Sequence, residues 1–118
     1  FSHNDLLANN ILNDGTKLWL IDWEYAGFNT PLFDLGGLAS NNEFSDDQEN
    51  FMLEEYFEKK INDQLMYQYK AMKCASLLRE VMWSMVSEIK SLIKFDYNKY
   101  TKDNLDRYNQ EIKKFLSL

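Results

Sequence analysis

Near the start of the chain, His3-x-Asp5-x-x-x-x-Asn10 is followed by a second aspartate, Asp22, at the end of the apolar run Leu20-Ile21. Phosphoryl transfer to a hydroxyl calls for these residue types, because the protein mainly positions groups and neutralises charge. One carboxylate must accept the hydroxyl proton, and a carboxylate with an amide oxygen must hold magnesium against the nucleotide phosphates. Asp5 suits the base, and Asn10 with Asp22 suits the metal. A blander reading is that any small β-hairpin carries Asx residues at its ends. That reading accounts for Asp22 alone, but not for His3, Asp5, Asn10 and Asp22 at these joint spacings.

The elements that must position these residues are partly written in the apolar pattern. Ile11-Leu12 and Leu18-Trp19-Leu20-Ile21 flank Asn13-Asp14-Gly15-Thr16. Asp-Gly between β-prone runs predicts a tight hairpin whose two central residues both take positive φ. Such a hairpin brings Asn10 and Asp22 together, as a shared magnesium requires. Residues 27–31 read as a loop and residues 33–38 as a short helix or turn. Ser45-Asp46-Asp47-Gln48 is a capping box that opens a helix reaching to about residue 60, with Phe51, Leu53, Glu54, Tyr56 and Phe57 as its stripe. A second helical stretch, with room for one break, runs from about residue 62 to residue 93. Its apolar positions are Met66, Tyr69, Met72, Leu77, Val81, Met85, Ile89 and Leu92. Phe95-Asp96-Tyr97-Asn98 interrupts the pattern. A last helix then starts at Thr101 and buries Leu105, Tyr108, Ile112 and Phe115. The expected class is α+β and mostly α-helical, a single helical lobe with a small hairpin that carries the catalytic loop and metal site.

With 118 residues the chain is long enough to bury a core, and 45% hydrophobic against 27% charged residues is a globular composition. No apolar run approaches the length of a membrane span. A net charge of −6 argues against nucleic acid as a partner and agrees with a cationic one. The single cysteine, Cys74, excludes an internal disulfide and fits a reducing, cytoplasmic location.

The first motif, continued by Ile21-Asp22-Trp23-Glu24-Tyr25-Ala26 and then Phe33-Asp34-Leu35-Gly36, resembles the choline/ethanolamine kinase family. This family lies within the kinase-like aminoglycoside/choline phosphotransferase superfamily. The first motif alone is also found in aminoglycoside phosphotransferases and, with variation, in protein kinases; the continuation is closer to the choline kinase pattern. The resemblance covers nearly the whole chain, whereas the chain covers only part of the family's fold. It implies that residues 1–118 are the C-terminal, catalytic and substrate-binding lobe of a protein-kinase-like fold. The nucleotide would then be gripped by an N-terminal lobe of the same polypeptide, because Gly15, Gly27, Gly36 and Gly37 form no phosphate cradle. On this reading residues 1–118 alone have negligible turnover.

The resemblance further implies ATP as co-substrate, Mg2+ as cofactor, a small cationic amino alcohol (choline or ethanolamine) as acceptor, and room for a homodimer. Asp34 matches an aspartate that braces the catalytic loop, and His3 orders the backbone of that loop rather than titrating. Glu24 is either a supporting acid or a surface residue. A quaternary ammonium has no hydrogen to donate, so aromatic faces and nearby carboxylates must recognise it. Trp83, in Val81-Met82-Trp83-Ser84-Met85-Val86, matches a tryptophan of the choline cage, the alternative being ordinary packing on an apolar face. Eukaryotic members often carry a second tryptophan three positions earlier, where this chain has Glu80. A carboxylate there could replace π attraction by charge or favour a primary ammonium. Glu43 lies where choline kinases place an acid near the ammonium, although the register after Asp34 departs from their pattern. The context of Tyr25 also leans towards choline over the competing aminoglycoside or thiamine phosphotransferase reading. A non-catalytic, kinase-derived binding module is the remaining alternative, and the intact Asp5, Asn10 and Asp22 argue against it.

Overall fold

Neither glycine nor proline occurs after Gly37, so only capping side chains and tertiary contacts end the helices that follow. The computed structural model describes residues 1–118 and has a small hairpin followed by four helices. A single 3-10 turn, Ala8–Asn10, leads into strand β1 (Ile11–Asn13), which pairs antiparallel with β2 (Leu18–Leu20). Ile11 faces Leu20, and Asn13 faces Leu18. The expected two-residue Asp-Gly turn is instead a four-residue loop in which only Gly15 has positive φ, at 91°. Asp14 makes the difference. Its carboxylate accepts from the Thr16 and Lys17 amides and from the Trp19 indole, all within 2.9 Å, and so closes a wider loop. The indole bond first, and then the amides, hold its carboxyl far below the usual carboxylate range.

Helix α1 spans Pro31–Asn41, longer than the short turn expected, because Thr30 caps it and Pro31 fits the first helical position. Helix α2, Asp46–Phe57, has both halves of the predicted capping box: Gln48 N–H donates to Ser45 Oγ, and Ser45 N–H donates to Gln48 Oε1. It stops short of residue 60, at Glu58 in the left-handed region, where no glycine announces the stop. Helix α3 runs unbroken over Asp63–Lys90, with Asn62 as its cap. At 1.5 Å per residue its 28 residues make a rod of about 42 Å, nearly the 45 Å length of the molecule. Helix α4, Tyr97–Leu116, starts four residues before Thr101, because Asp96 accepts from the Lys99 amide and caps it.

The core gathers Leu32, Leu35 and Ala39 of α1, Leu53 of α2 and Tyr69 of α3, with Phe44, Met52 and Met66 packed around them. Three stripes depart from expectation. On α2, Leu53 is buried but Phe51 and Tyr56 are exposed. On α3, Tyr69, Leu77 and Val81 are buried and Met66 and Met72 half-buried, but Met85 and Ile89, and Leu92 just beyond the helix, are exposed. On α4 the inward positions are Thr101 and Asn104, and Leu105 is exposed. Polar contacts join these helices: Ser84 Oγ lies 2.6 Å from Thr101 Oγ1, and Tyr100 donates to Glu80 at 2.6 Å.

A buried ionic cluster ties α2, α3 and α4 together. Glu49 accepts from Lys73 at 2.7 Å and from the Tyr69 hydroxyl at 2.6 Å, and Lys73 also pairs with Glu111 at 3.3 Å. Burial alone would push the Glu49 carboxyl up; Lys73, Tyr69 and Lys70 outweigh it and hold the carboxyl below its ordinary value. Burial pushes the Cys74 thiol up, which leaves it a packing residue.

Where α1 crosses α3, Gly36 and Gly37 let the backbones approach closely. A Cβ on Gly36 would sit 2.7 Å from Lys73 Cα, and one on Gly37 would sit 2.9 Å from Ser76 Oγ. No helix is long and apolar enough to cross a membrane.

Candidate active site

The loop over residues 2–5 is held from several sides. Ser2 forms an isolated bridge with Gly27, and Asn4 takes a left-handed conformation at φ 68°. Asp34, near the N-terminus of α1, accepts the His3 amide at 2.8 Å and the Asn4 amide at 2.7 Å, one on each carboxylate oxygen. These charge-assisted bonds fix the loop against α1. His3 is buried. Its Nε2 lies 2.8 Å from the Ile21 carbonyl, and its Nδ1 accepts the Asp5 amide at 3.2 Å. Those two partners require a proton on Nε2 and a lone pair on Nδ1. The ring also lies edge-on to Trp23, with centroids 4.7 Å apart. His3 thereby joins the loop to the far strand of the hairpin.

Asp5 projects from this loop with its side chain 12% exposed, and its Oδ1 lies 3.6 Å from Arg79 Nη2. Asn10, buried at the base of the hairpin, donates its side-chain amide to the Asp5 carbonyl at 3.0 Å. That bond orients the Asn10 Oδ1 lone pairs away from the loop. The Ile21 amide donates to the Asn10 carbonyl at 2.9 Å, so the residue before Asp22 is tied to Asn10. Asp22 is exposed and has φ 61°, an uncommon conformation for an aspartate and one that collects at functional sites. Asp5 and Asn10 are therefore hydrogen-bonded to each other, and Asp22 directly follows the residue that Asn10 holds. The oxygens that Asn10 and Asp22 offer, an amide and a carboxylate, are hard donors. Magnesium, which usually combines one or two protein oxygens with substrate phosphates, fits that donor set. No group of three His, Cys, Asp or Glu side chains forms a protein-only metal cage.

On the other side of Asp5 stands α3. Trp83 is 39% exposed and lies edge-on to Tyr97 and Tyr100, and Phe95 packs edge-on to the same two tyrosines. Glu80 is buried beneath this aromatic wall and accepts the Tyr100 hydroxyl. Burial, and then the Glu80 hydrogen bond and charge, push the Tyr100 hydroxyl up, so it stays a donor. Tyr25 is exposed, and the Arg79 guanidinium lies over its ring at 5.4 Å.

The structure does not bring every expected residue to this place. Glu43, two residues beyond the C-terminus of α1, is 72% exposed and pairs with Arg107 of α4 at 3.1 Å. Seven residues of helix, about 10 Å, separate Asn41 from Asp34 and its loop. Glu24 is exposed on the segment after Asp22. Three residues escaped the sequence reading: Asn4, Arg79 and Tyr100. Arg79 is one of only two arginines in the chain, and that scarcity was a usable signal.

Comparison with known proteins gives a consistent picture. A family model described as choline/ethanolamine kinase matches residues 1–109. The protein LicA of Haemophilus influenzae is 30% identical, over 88% of this chain and 40% of its own length. A probable ethanolamine kinase A of Dictyostelium discoideum is 30% identical over the whole of this chain and 39% of its own length. Among solved structures, a choline/ethanolamine kinase family protein from Mesorhizobium loti superposes with a TM-score of 0.85. That structure is 26% identical, over 94% of this chain and 38% of the other. The chain thus spans about two fifths of the length of the curated relatives it matches.

Proposed function

The chain belongs to the choline/ethanolamine kinase family, and from that premise we propose that it is the catalytic lobe of a kinase that phosphorylates choline or ethanolamine at the expense of ATP. Asp5 takes the proton of the acceptor hydroxyl. The alkoxide oxygen forms a bond to the γ-phosphorus, the bond from that phosphorus to the bridging oxygen breaks, and ADP leaves. Asn10 Oδ1 and the Asp22 carboxylate would hold magnesium, which neutralises phosphate charge when bound. Asp34 and His3 hold the loop that carries the base. One observation carries this reading: Asn10 is anchored to the carbonyl of Asp5 itself at 3.0 Å, so base and metal ligand move as one body.

The acceptor's ammonium rests against the aromatic wall of Trp83, Tyr97 and Tyr100, with the Glu80 carboxylate behind it. Aromatic faces attract a cation whether or not it carries hydrogens, so the wall suits choline and ethanolamine alike. Tyr25 and Arg79 border the same space. Glu43 belongs outside this acceptor site, because it is spent on Arg107.

The nucleotide is gripped by a further lobe of the same polypeptide, packed against the hairpin. The exposed apolar side chains of Leu12, Leu18 and Leu20 support that placement. The single buried, unpaired cysteine agrees with a cytoplasmic enzyme.

The test is ADP release by the full-length enzyme with magnesium, across choline, ethanolamine, thiamine and an aminoglycoside. Preference for either amino alcohol, abolished by Asp5→Ala, is the expected result. Turnover confined to thiamine or the aminoglycoside would keep Asp5, Asn10 and Asp22 and discard the acceptor. Silence on all four would leave a binding module.

A further inference from the structure

We propose that Arg79 is the positioning residue of the general base, and that it links this base to the wall of the acceptor site; the inference rests on the reading of Asp5 as the base. A single guanidinium nitrogen, Nη2, donates to the Asn4 carbonyl at 2.5 Å and lies 3.6 Å from Asp5 Oδ1 and 4.0 Å from Glu80 Oε2. The carbonyl it grips belongs to the peptide that joins Asn4 to Asp5. Asn4 is left-handed, a conformation that costs about 1–3 kcal/mol and needs surrounding contacts to persist. Arg79 supplies one from α3, and Asp34 supplies two from α1. With Oδ1 turned towards the guanidinium, Oδ2 is the Asp5 oxygen left free of it for the acceptor hydroxyl.

Position on the helix adds the second half. Arg79, Glu80 and Trp83 lie within five residues of α3. Glu80 sits between Arg79 and the Tyr100 hydroxyl, and Tyr100 touches Trp83 and Phe95. Arg79, which holds the base's loop, and Trp83, which belongs to the wall, therefore lie about one turn apart on α3, so the separation of base and wall is set by that helix and not by the mobility of the loop. Arg79 is no core residue: its side chain is 29% exposed and stacks on the exposed Tyr25. Its removal is expected to leave the fold standing.

The test compares Arg79→Ala, Asp5→Ala and the double variant in the full-length enzyme. Displacement of reacting groups by about 1 Å costs roughly 100-fold, and Arg79→Ala should lose kcat by that order. KM for ATP and for choline should each move less than about threefold, since the loss is felt in the transition state. The decisive readout is coupling. If Arg79 acts through Asp5, the double variant is no slower than Asp5→Ala alone, whereas an independent structural role would multiply the two losses.

Lys60→Ala, on an exposed surface pair, serves as the control and should match the wild type. Should Arg79→Ala fail to fold, Arg79→Lys decides. A lysine keeps the charge but lacks the planar fork, so its kcat should lie between those of alanine variant and wild type. Wild-type kcat in either Arg79 variant, or multiplicative losses in the double variant, overturns the proposal. An Asp5→Ala enzyme with full turnover would instead remove Asp5 as base. Inactive Asp5→Ala beside fully active Arg79→Ala would sink the Arg79 proposal alone.

Discussion

Gly36→Ala should weaken both the fold and the reaction, and the reason is a single helix crossing. The added Cβ would lie 2.7 Å from Lys73 Cα and 2.9 Å from Lys73 N, where non-bonded carbons ordinarily sit at about 3.5–4.0 Å. Both obstructing atoms are backbone, so no rotamer change relieves them, and α1 and α3 must part by roughly 1 Å. Overpacking of this kind costs about 1–3 kcal/mol. Alanine's better helix propensity offsets about 1 kcal/mol of it. Because both obstructing atoms are backbone, the overpacking cost falls in the upper part of its range, about 2–3 kcal/mol. The net loss is then about 1–2 kcal/mol, which a urea slope of about 2 kcal/mol/M converts to a midpoint drop of roughly 0.5–1 M. Gly37→Ala is the internal comparison. Its Cβ meets the Ser76 hydroxyl at 2.9 Å, and a hydroxyl can rotate away, so its loss should be the smaller one. The same crossing sets the gap between Asp34 on α1 and Arg79 on α3, which clamp the loop from opposite sides. Opening that gap should cut kcat by up to about 100-fold. Urea titration and ADP-release rates on the full-length enzyme measure both. Gly36→Ala with a wild-type midpoint would refute the packing argument, and a lowered midpoint with wild-type kcat would refute the link from crossing to loop.

Asp34→Asn replaces one of two backbone-accepting oxygens by a donor facing the His3 or Asn4 amide. Hydrogen bonds to a charged group contribute about 1.5–3 kcal/mol, so a loss of about 2 kcal/mol in urea unfolding is expected, together with slower turnover. Wild-type behaviour would mean that the loop is held without Asp34. Glu49 has its folded pKa below the ordinary 4.5. Its stabilising contribution is therefore complete above that value and is lost as pH falls through the lower folded pKa. Glu49→Gln should be less stable at neutral pH and should lose less of its remaining stability on acidification, read as urea midpoint against pH; an unchanged acid limb would rule out Glu49 as its source. Trp83→Ala should raise KM for choline more than KM for ATP, and equal effects on both would return Trp83 to a packing role.

The parts of this chain that were legible in its sequence are those governed by short range. A capping box is complete within four residues, so Ser45 and Gln48 announced α2. The hairpin was legible from Gly15 and its flanking apolar runs. Its loop was not, because Asp14 accepts four donors at once, and one of them depends on Trp19 folding back over it. The start of α4 was hidden because Asp96 sits among aromatic residues that read as an interruption. Leu105 followed the apolar period yet stays exposed, while Thr101 and Asn104 are buried through hydrogen bonds that no hydrophobic pattern encodes. Arg79 illustrates the limit: its partner carbonyl is 75 positions away. Only the packing of α3 across α1 and the loop makes them neighbours.

The site is built on strain held by many small restraints rather than on a stable local structure. Asn4 and Asp22 are both left-handed without being glycine, at φ 68° and 61°, and each such residue costs about 1–3 kcal/mol. Around Asn4 the cost is offset by Asp34, Arg79, Tyr25 and Asn29, which together satisfy its amide, its carbonyl and its side chain. Asp22 has backbone support from the neighbouring Ile21–Asn10 bond, but its carboxylate receives no donor of that kind. The asymmetry is the one that the two proposed roles require. A residue that shapes the loop must be fully tied to the protein. A carboxylate proposed to meet phosphates and a cation must keep its oxygens free of protein donors, and on that proposal the strain at Asp22 is the cost of aiming them.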